Sequence, residues 1–212
     1  IFEIFIADIR DKKSVALAVR NVDVIYHLAS KTGYDGGDYN YFKDTNVDGT
    51  KNLLEAAKEQ KVKKIIFFSS SGIYGLPATA GDIRNYNEKK EKTYSEGYGK
   101  SKYAAENLLL EVASDRKLKY IILRPTTVYG PRDKGGLYQL IKALKAGYFV
   151  FIGSAQNKMD YVYVSDVVRA ARILEKSEIT NEDFIIGSGN PVTLEYMVKT
   201  IPAKLELDHK CR

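Results

Sequence analysis

Short apolar runs alternate with helical periods along this chain, as expected of βαβ units wound about a parallel sheet. Phe2 to Ala7 reads as a strand ending in Asp8-Ile9-Arg10-Asp11. Ser14 to Val19 predicts a short helix with Asp11 or Ser14 as its cap. A second strand, Val22 to Leu28, runs into Ala29-Ser30-Lys31-Thr32-Gly33, and the Gly- and Tyr-rich stretch Tyr34 to Tyr41 reads as a loop. Asn46 to Gln60 predicts a helix with Val47, Leu53, Leu54 and Ala57 near one face. Lys64 to Phe68 is strongly β-prone and leads straight into Ser69-Ser70-Ser71-Gly72.

Residues 76–96 carry Pro, Gly, Asn and a run of charges, and read as an excursion over the surface. Tyr98 to Ser114 is the longest predicted helix, with Ala104, Ala105, Leu108, Leu109 and Val112 on its buried side. Tyr120 to Leu123 is a strand ended by Arg124-Pro125. A helix over Leu137 to Ala146, strands over Phe149 to Ile152 and Tyr161 to Val164, a helix over Val167 to Leu174 and a strand over Phe184 to Ile186 complete the pattern. No internal repeat stands out, and the chain after about residue 130 is less regular.

With 212 residues, 44% of them hydrophobic and 28% charged, the chain has enough apolar material for a real core. That fraction, with 5 Pro and 16 Gly, argues against disordered or collagen-like classes. The single cysteine, Cys211, has no intrachain disulfide partner, and with His27 and His209 as the only histidines no Cys/His metal cage is expected. No run of 18 apolar residues occurs, so no transmembrane helix and no membrane partner are expected. Ile1-Phe2-Glu3-Ile4 shows no basic-then-apolar leader, and a cytoplasmic location is the expectation. The net charge of +6 comes from scattered lysines: Lys61, Lys63 and Lys64 close one helix, while Lys89, Lys90 and Lys92 sit among glutamates. Without an arginine-rich arm or a basic-aromatic stripe, nucleic acid is not an expected partner; a mild pull on an anionic small ligand is equally compatible with the charge, which alone decides nothing. The only methionines are Met159 and Met197, so a segment is expected to precede Ile1.

Several strands end in small or polar residues, at Asp8, Ala29, Ser69 to Ser71 and Pro125. In an open parallel sheet the ligand crevice lies at the carboxyl ends of the strands, so these loops converge on one cleft. Tyr98 and Lys102 stand four apart on a predicted helix and share a face. An ammonium beside a phenol favours the phenolate, which makes Tyr98 a usable acid/base for interconverting a hydroxyl and a carbonyl. Tyr-x-x-x-Lys occurs four times here, but only the 98/102 pair opens a long helix after a strand ending in serines. The serines suit either a polar turn or a hydroxyl that hydrogen-bonds a reacting oxygen. His27 lies inside a strand and reads as a packed or wall residue, so no Ser-His-Asp arrangement forms.

Seven blocks in this order resemble the extended short-chain dehydrogenase/reductases, the NAD-dependent epimerase/dehydratase family. They are Asp8-Ile9-Arg10-Asp11, His27-Leu28-Ala29-Ser30, Asn46-Val47-Asp48-Gly49-Thr50, Ser69 to Gly75, Tyr98-Gly99-Lys100-Ser101-Lys102, Leu123 to Pro131 and Tyr161 to Val167. The resemblance spans residue 2 to about 205. It implies an α/β fold: a Rossmann-like doubly wound parallel sheet, incomplete on its N-terminal side, with a small C-terminal substrate lobe. Residues 1–130 would form the NAD(P)-binding part, and 131–212 mainly the lobe, with segments returning to the sheet. It further implies that Asp8 and Ile9 contact adenine, that Leu28, Ala29, Ser30, Asn46 and Ser69 line the cofactor, and that Pro125 and Val128 position the nicotinamide. Ser70 takes the catalytic Ser/Thr place, with Ser71 as the alternative if the register shifts by one, Tyr98 is the acid/base, and Lys102 bonds the nicotinamide ribose while tuning Tyr98. Ser71, Arg132 and Lys158 fall on the substrate side. The implied cofactor is NAD, with NADP left open, and the implied partners are a nucleotide-sugar and a second copy in a homodimer.

Two departures qualify this. The family's opening strand and Gly-x-x-Gly-x-x-Gly loop have no counterpart, since Gly33, Gly36 and Gly37 do not match it. A longer natural protein with roughly 50 further N-terminal residues is therefore expected. Met159, preceded by Lys158, stands where many nucleotide-sugar members have an Arg, and a lysine lacks its bidentate fork. A hydroxysteroid- or flavonol-like substrate without a diphosphate is the competing enzyme reading, and a cofactor-sensing remnant without turnover is the non-enzyme one.

Overall fold

A computed structural model of the protein describes residues 3–32, 36–75, 87–94, 96–115, 117–151 and 153–206. Chain order is α1 (Lys12–Ala18), β1 (Val24–His27), α2 (Tyr39–Phe42), α3 (Gly49–Glu59), β2 (Lys64–Phe68), α4 (Tyr98–Val112) and β3 (Lys119–Pro125). There follow β4 (Thr127–Tyr129), α5 (Gly136–Ala146), β5 (Lys158–Met159), β6 (Tyr161–Tyr163), α6 (Val164–Lys176), β7 (Glu182–Ile186), β8 (Val192–Thr193) and α7 (Leu194–Lys204).

The four β-prone runs form one parallel sheet in the order β1-β2-β3-β7. β2 and β3 lie at its centre with Ile65, Ile66, Phe67, Ile121, Ile122 and Leu123 buried, because a parallel sheet covered on both faces selects continuous apolar runs. On one face Ile65, Phe67 and Ile122 pack with Val15 of α1, Leu53, Leu54 and Ala57 of α3, and Ala105 and Leu109 of α4. On the other, Ile66, Ile121 and Leu123 pack on Ala171 and Leu174 of α6. The sheet is doubly wound, as the resemblance implies. Two small ladders, β4 with β6 and β5 with β8, lie outside it.

Local chemistry sets the element ends. Asp11 caps α1 by accepting the Lys13 N–H. Lys64 does not close a helix as its place in the basic run suggests. It opens β2, and its Nζ donates to the Leu174 and Glu175 carbonyls at 2.8 and 3.1 Å, closing α6 instead. A π-helical turn, Lys43–Asp48, joins α2 to α3, so the helical run begins earlier than the apolar period shows.

Two expected strands are not formed. Residues 3–7 pair with no strand among the described residues, and Ile4 and Ile6 are exposed; apolar alternation without a neighbour makes no ladder. Phe149 to Phe151 follow the left-handed Gly147 cap of α5, and the two phenylalanine rings meet at 5.3 Å, again without a partner strand among the described residues. Ile152, like Gly33, His209, Cys211 and residues 76–86, lies outside the described residues.

Candidate active site

β2 and β3 deliver Ser69 and Pro125 to the same edge of the sheet, where Ser69 N–H donates to the Leu123 carbonyl at 2.7 Å. Beyond β2 the chain turns sharply through a 3-10 turn, Ser71–Tyr74, capped by Ser70, whose Oγ accepts the Gly72 N–H at 3.0 Å. That bond uses a lone pair and leaves the Ser70 hydroxyl proton for another acceptor. α4 begins against this turn. A cavity of about 660 Å³ opens here, lined by Ser69, Ser70, Ser71, Tyr98, Pro125, Val128 and Arg132 among others.

Lys102 is buried one helical turn after Tyr98, and its Nζ donates to the Phe68 carbonyl at 2.7 Å. Burial disfavours the ammonium and pulls its pKa down to about 8, against a smaller opposing pull from Glu106. On β1, His27 is buried with Nε2 2.8 Å from Thr50 Oγ1, and Thr50 gives its own hydroxyl proton to the Asn46 carbonyl at 2.7 Å. The hydroxyl has one proton, so His27 is the donor through Nε2. Burial, then the Lys102 charge, push its pKa down to about 3. His27 is thus neutral and packed.

Asn46 uses its whole side-chain amide. Its Oδ1 accepts from Ser30 Oγ and the Lys31 N–H at 3.0 and 2.7 Å, and its Nδ2 donates to the Lys31 carbonyl and Ser101 Oγ at 3.1 and 3.0 Å. It ties the loop after β1 to α4. Two hydroxyl oxygens, Ser69 Oγ and Thr126 Oγ1, are buried on the cavity wall with no hydrogen-bond partner among the described residues. Such groups cost free energy unless something satisfies them, and both belong to a wall that a ligand amide or hydroxyl can approach.

A profile described as the NAD dependent epimerase/dehydratase family matches residues 2–187. The chain belongs to this family. It is 34% identical over 167 residues to an N-acetyl-alpha-D-glucosaminyl-diphospho-ditrans,octacis-undecaprenol 4-epimerase of Escherichia coli O157:H7, covering 77% of this chain and 48% of that one. It is 29% identical to the sterol-4-alpha-carboxylate 3-dehydrogenase ERG26, decarboxylating, of Candida albicans, covering 94% of this chain and 59% of that one. Among solved structures, the UDP-glucose 4-epimerase of Thermus thermophilus in complex with NAD superposes with a TM-score of 0.83 at 26% identity, covering 97% of this chain and 70% of that one. The chain thus spans about half the length of the first of these relatives.

Within the epimerase/dehydratase fold the remaining expected residues fall outside the cavity wall. Asp8 is exposed and clamped by Arg10, whose hydrogen bonds and charge bring its pKa down to about 2. Ile9 packs where a β-carbon on Gly49 would stand 2.6 Å from its Cγ2, so it seats the start of α3. Leu28 and Ala29 form an exposed lip after β1, and Ser30 bonds Asn46. Lys158 sits in the β5/β8 ladder, paired in register with Thr193. Thr126, assigned no role from sequence, belongs to the wall.

A nicotinamide fits this end of the sheet, given the two hydroxyls that have no hydrogen-bond partner among the described residues. A pyrophosphate does not fit the N-terminus of α2: Asp38 caps that four-residue helix by accepting the Tyr41 N–H, which puts a carboxylate where an anion would sit. No group of three or more His, Cys, Asp or Glu among the described residues is arranged to hold a metal. No helix among them is long and apolar enough to cross a membrane.

Proposed function

We propose that the whole protein is an NAD-dependent epimerase or dehydratase acting on a nucleotide-sugar. The observation that carries this reading is the convergence of Ser70 and Tyr98, one helical turn from the buried Lys102, on a single cavity at the carboxyl ends of β2 and β3. Bound NAD supplies a hydride acceptor and donor, so one sugar carbon is oxidised and later reduced. Pro125, Val128, Ser69 and Thr126 hold the nicotinamide end. Ser70 donates its free hydroxyl proton to the reacting oxygen and stabilises its developing charge. Tyr98 takes the sugar hydroxyl proton, and the Lys102 ammonium favours its phenolate. Return of the proton from Tyr98 closes the cycle.

The relatives support two substrate classes. Among the described residues Arg132 is the only cation on the wall; it has a left-handed backbone (φ 72) and stands next to Asp133. One arginine is thin provision for a diphosphate, and this favours, as a second reading, a hydroxysteroid-like substrate handled by the same pair. The test is turnover by the full-length protein with NAD on UDP-glucose, UDP-N-acetylglucosamine and a 3β-hydroxysteroid. Sugar epimerisation that Tyr98→Phe lowers by about 10²-fold or more, with ligand binding retained, is the expected result. Oxidation of the steroid alone moves the protein to the second reading, and unchanged turnover in Tyr98→Phe overturns the acid/base role.

A further inference from the structure

The acid/base chemistry of Ser70, Tyr98 and Lys102 leaves a set of buried charges unused. α4 carries Tyr98, Lys102 and Glu106 at four-residue intervals, which places them along one face. Glu106 is 1% exposed and holds Arg124 of β3 by two parallel bonds, Nε to Oε1 at 3.0 Å and Nη2 to Oε2 at 2.9 Å. Arg124 directly precedes Pro125 on the cavity wall. Its Nη1 also donates to the Tyr74 hydroxyl at 2.7 Å and to Asp183 of β7. Two cations, Lys102 and Arg124, are therefore balanced by two carboxylates, Glu106 and Asp183.

Several groups face Lys102. Tyr98 and Glu106 lie on its own helix, and His27 faces it from β1 as a neutral ring. β2 offers the Phe68 carbonyl and the Phe67 ring, 4.9 Å away. Glu106 is in turn paired with Arg124 of β3, and Arg124 with Asp183 of β7. An ammonium so enclosed gives up its proton easily unless a carboxylate is near, and Glu106 is the one that acts on it.

We propose that Glu106 is a positioning residue, its ion pair with Arg124 fixing α4 against β3 and holding a carboxylate one helical turn from Lys102, the partner of Tyr98. This rests on the reading of Tyr98 and Lys102 as the acid/base pair. The sequence blocks give Glu106 no role, and its partner is 18 residues away.

The experiment is a direct titration of Lys102 in the full-length protein by ¹³Cε-lysine NMR, the resonance being assigned by its loss in Lys102→Met. The wild-type midpoint is expected at about 8. In Glu106→Gln it should fall by about one pH unit or more, and in Asp183→Asn by much less, since Glu106 is the carboxylate that acts on Lys102. Turnover of Glu106→Gln should drop about tenfold near pH 8, drop less at pH 6, and be largely restored in Glu106→Asp. An unmoved midpoint in folded Glu106→Gln overturns the proposal and leaves a merely structural ion pair. If Glu106→Gln does not fold, the neutral pair Glu106→Gln/Arg124→Gln is titrated against Arg124→Gln alone, so that only the carboxylate differs, and a fallen or unmoved midpoint between those two decides in the same way. Because the titration needs no substrate, a shifted midpoint in a protein whose wild type lacks turnover would overturn the acid/base reading and uphold the charge coupling.

Discussion

Gly99 lies against Gly72: a β-carbon on Gly99 would stand 2.8 Å from the Gly72 carbonyl oxygen. Helix α4 therefore starts in backbone contact with the serine turn, and this contact sets Tyr98 and Ser70 on one cavity. Gly99→Ala must push the two apart, because a backbone carbonyl cannot swing away as a side chain can. A stability loss of about 1–3 kcal/mol is expected, with turnover falling about 10²-fold from a displacement of roughly 1 Å or less. Urea unfolding with steady-state rates checks both.

Lys102→Met should abolish most turnover and yet make the protein more stable at neutral pH. The folded pKa of about 8 lies below the ordinary 10.5, so the unfolded chain binds the extra proton between those values. Stability from this group consequently rises with pH from about 8 to 10.5, and below 8 its burial costs about 3 kcal/mol. Thermal melts of both proteins at about pH 7 and about pH 10 should show the variant's advantage shrinking at the higher pH.

His27 predicts an acid-sensitive fold. Its pKa is lowered from 6.5 to about 3, so between those values the unfolded state takes a proton that the folded state refuses. Stability present above pH 6.5 is lost as pH falls, by about 2–3 kcal/mol between about pH 7 and about pH 4.5. His27→Gln should flatten that limb in a urea series across pH.

Ser69→Ala and Thr126→Val remove hydroxyls that the described residues do not satisfy. Each should raise the melting temperature of the ligand-free protein slightly, by about 1 kcal/mol of stability, while weakening NAD binding about fivefold or more. Calorimetry of unfolding and of NAD binding separates the two effects, and stability and affinity moving together would refute the assignment of these hydroxyls to a ligand.

Lys64–Phe68 is readable to the residue because its β-prone positions form one continuous apolar run behind the lysine, buried on both faces. α4 is readable because Ala105 and Leu109 repeat at helical spacing above the sheet. The ladders of β4, β5 and β8 have two or three residues each, too few for any period to show. α2 hides behind Tyr39-Asn40-Tyr41-Phe42, whose aromatic residues lean intrinsically toward strands. α7 hides behind Pro202 in its last turns. At the proposed site, Tyr98 and Lys102 are set apart not by their spacing, which recurs three more times, but by opening a long helix after a strand that ends in serines. Thr126 does not, because its hydroxyl differs from that of Thr127 only in the space it meets. Glu106 continues the 98/102 spacing, but its meaning depends on Arg124, which only the packing of α4 on β3 brings near.

The π-helical turn at Lys43–Asp48 makes the connection between β1 and α3 intolerant of small changes in length. A π turn closes its hydrogen bonds one residue farther along than an α turn. Deleting a single residue from it would restore a regular helix, which by propensity alone looks harmless. Each residue of an α-helix advances the side chains by about 100°, so everything before the deletion would swing by that angle relative to α3. Depending on where the gap fell, Asn46 would rotate away from Ser101 and Lys31, or the aromatic face of α2 would turn from α4. An insertion or deletion of one residue here is thus a change of site geometry rather than of loop length.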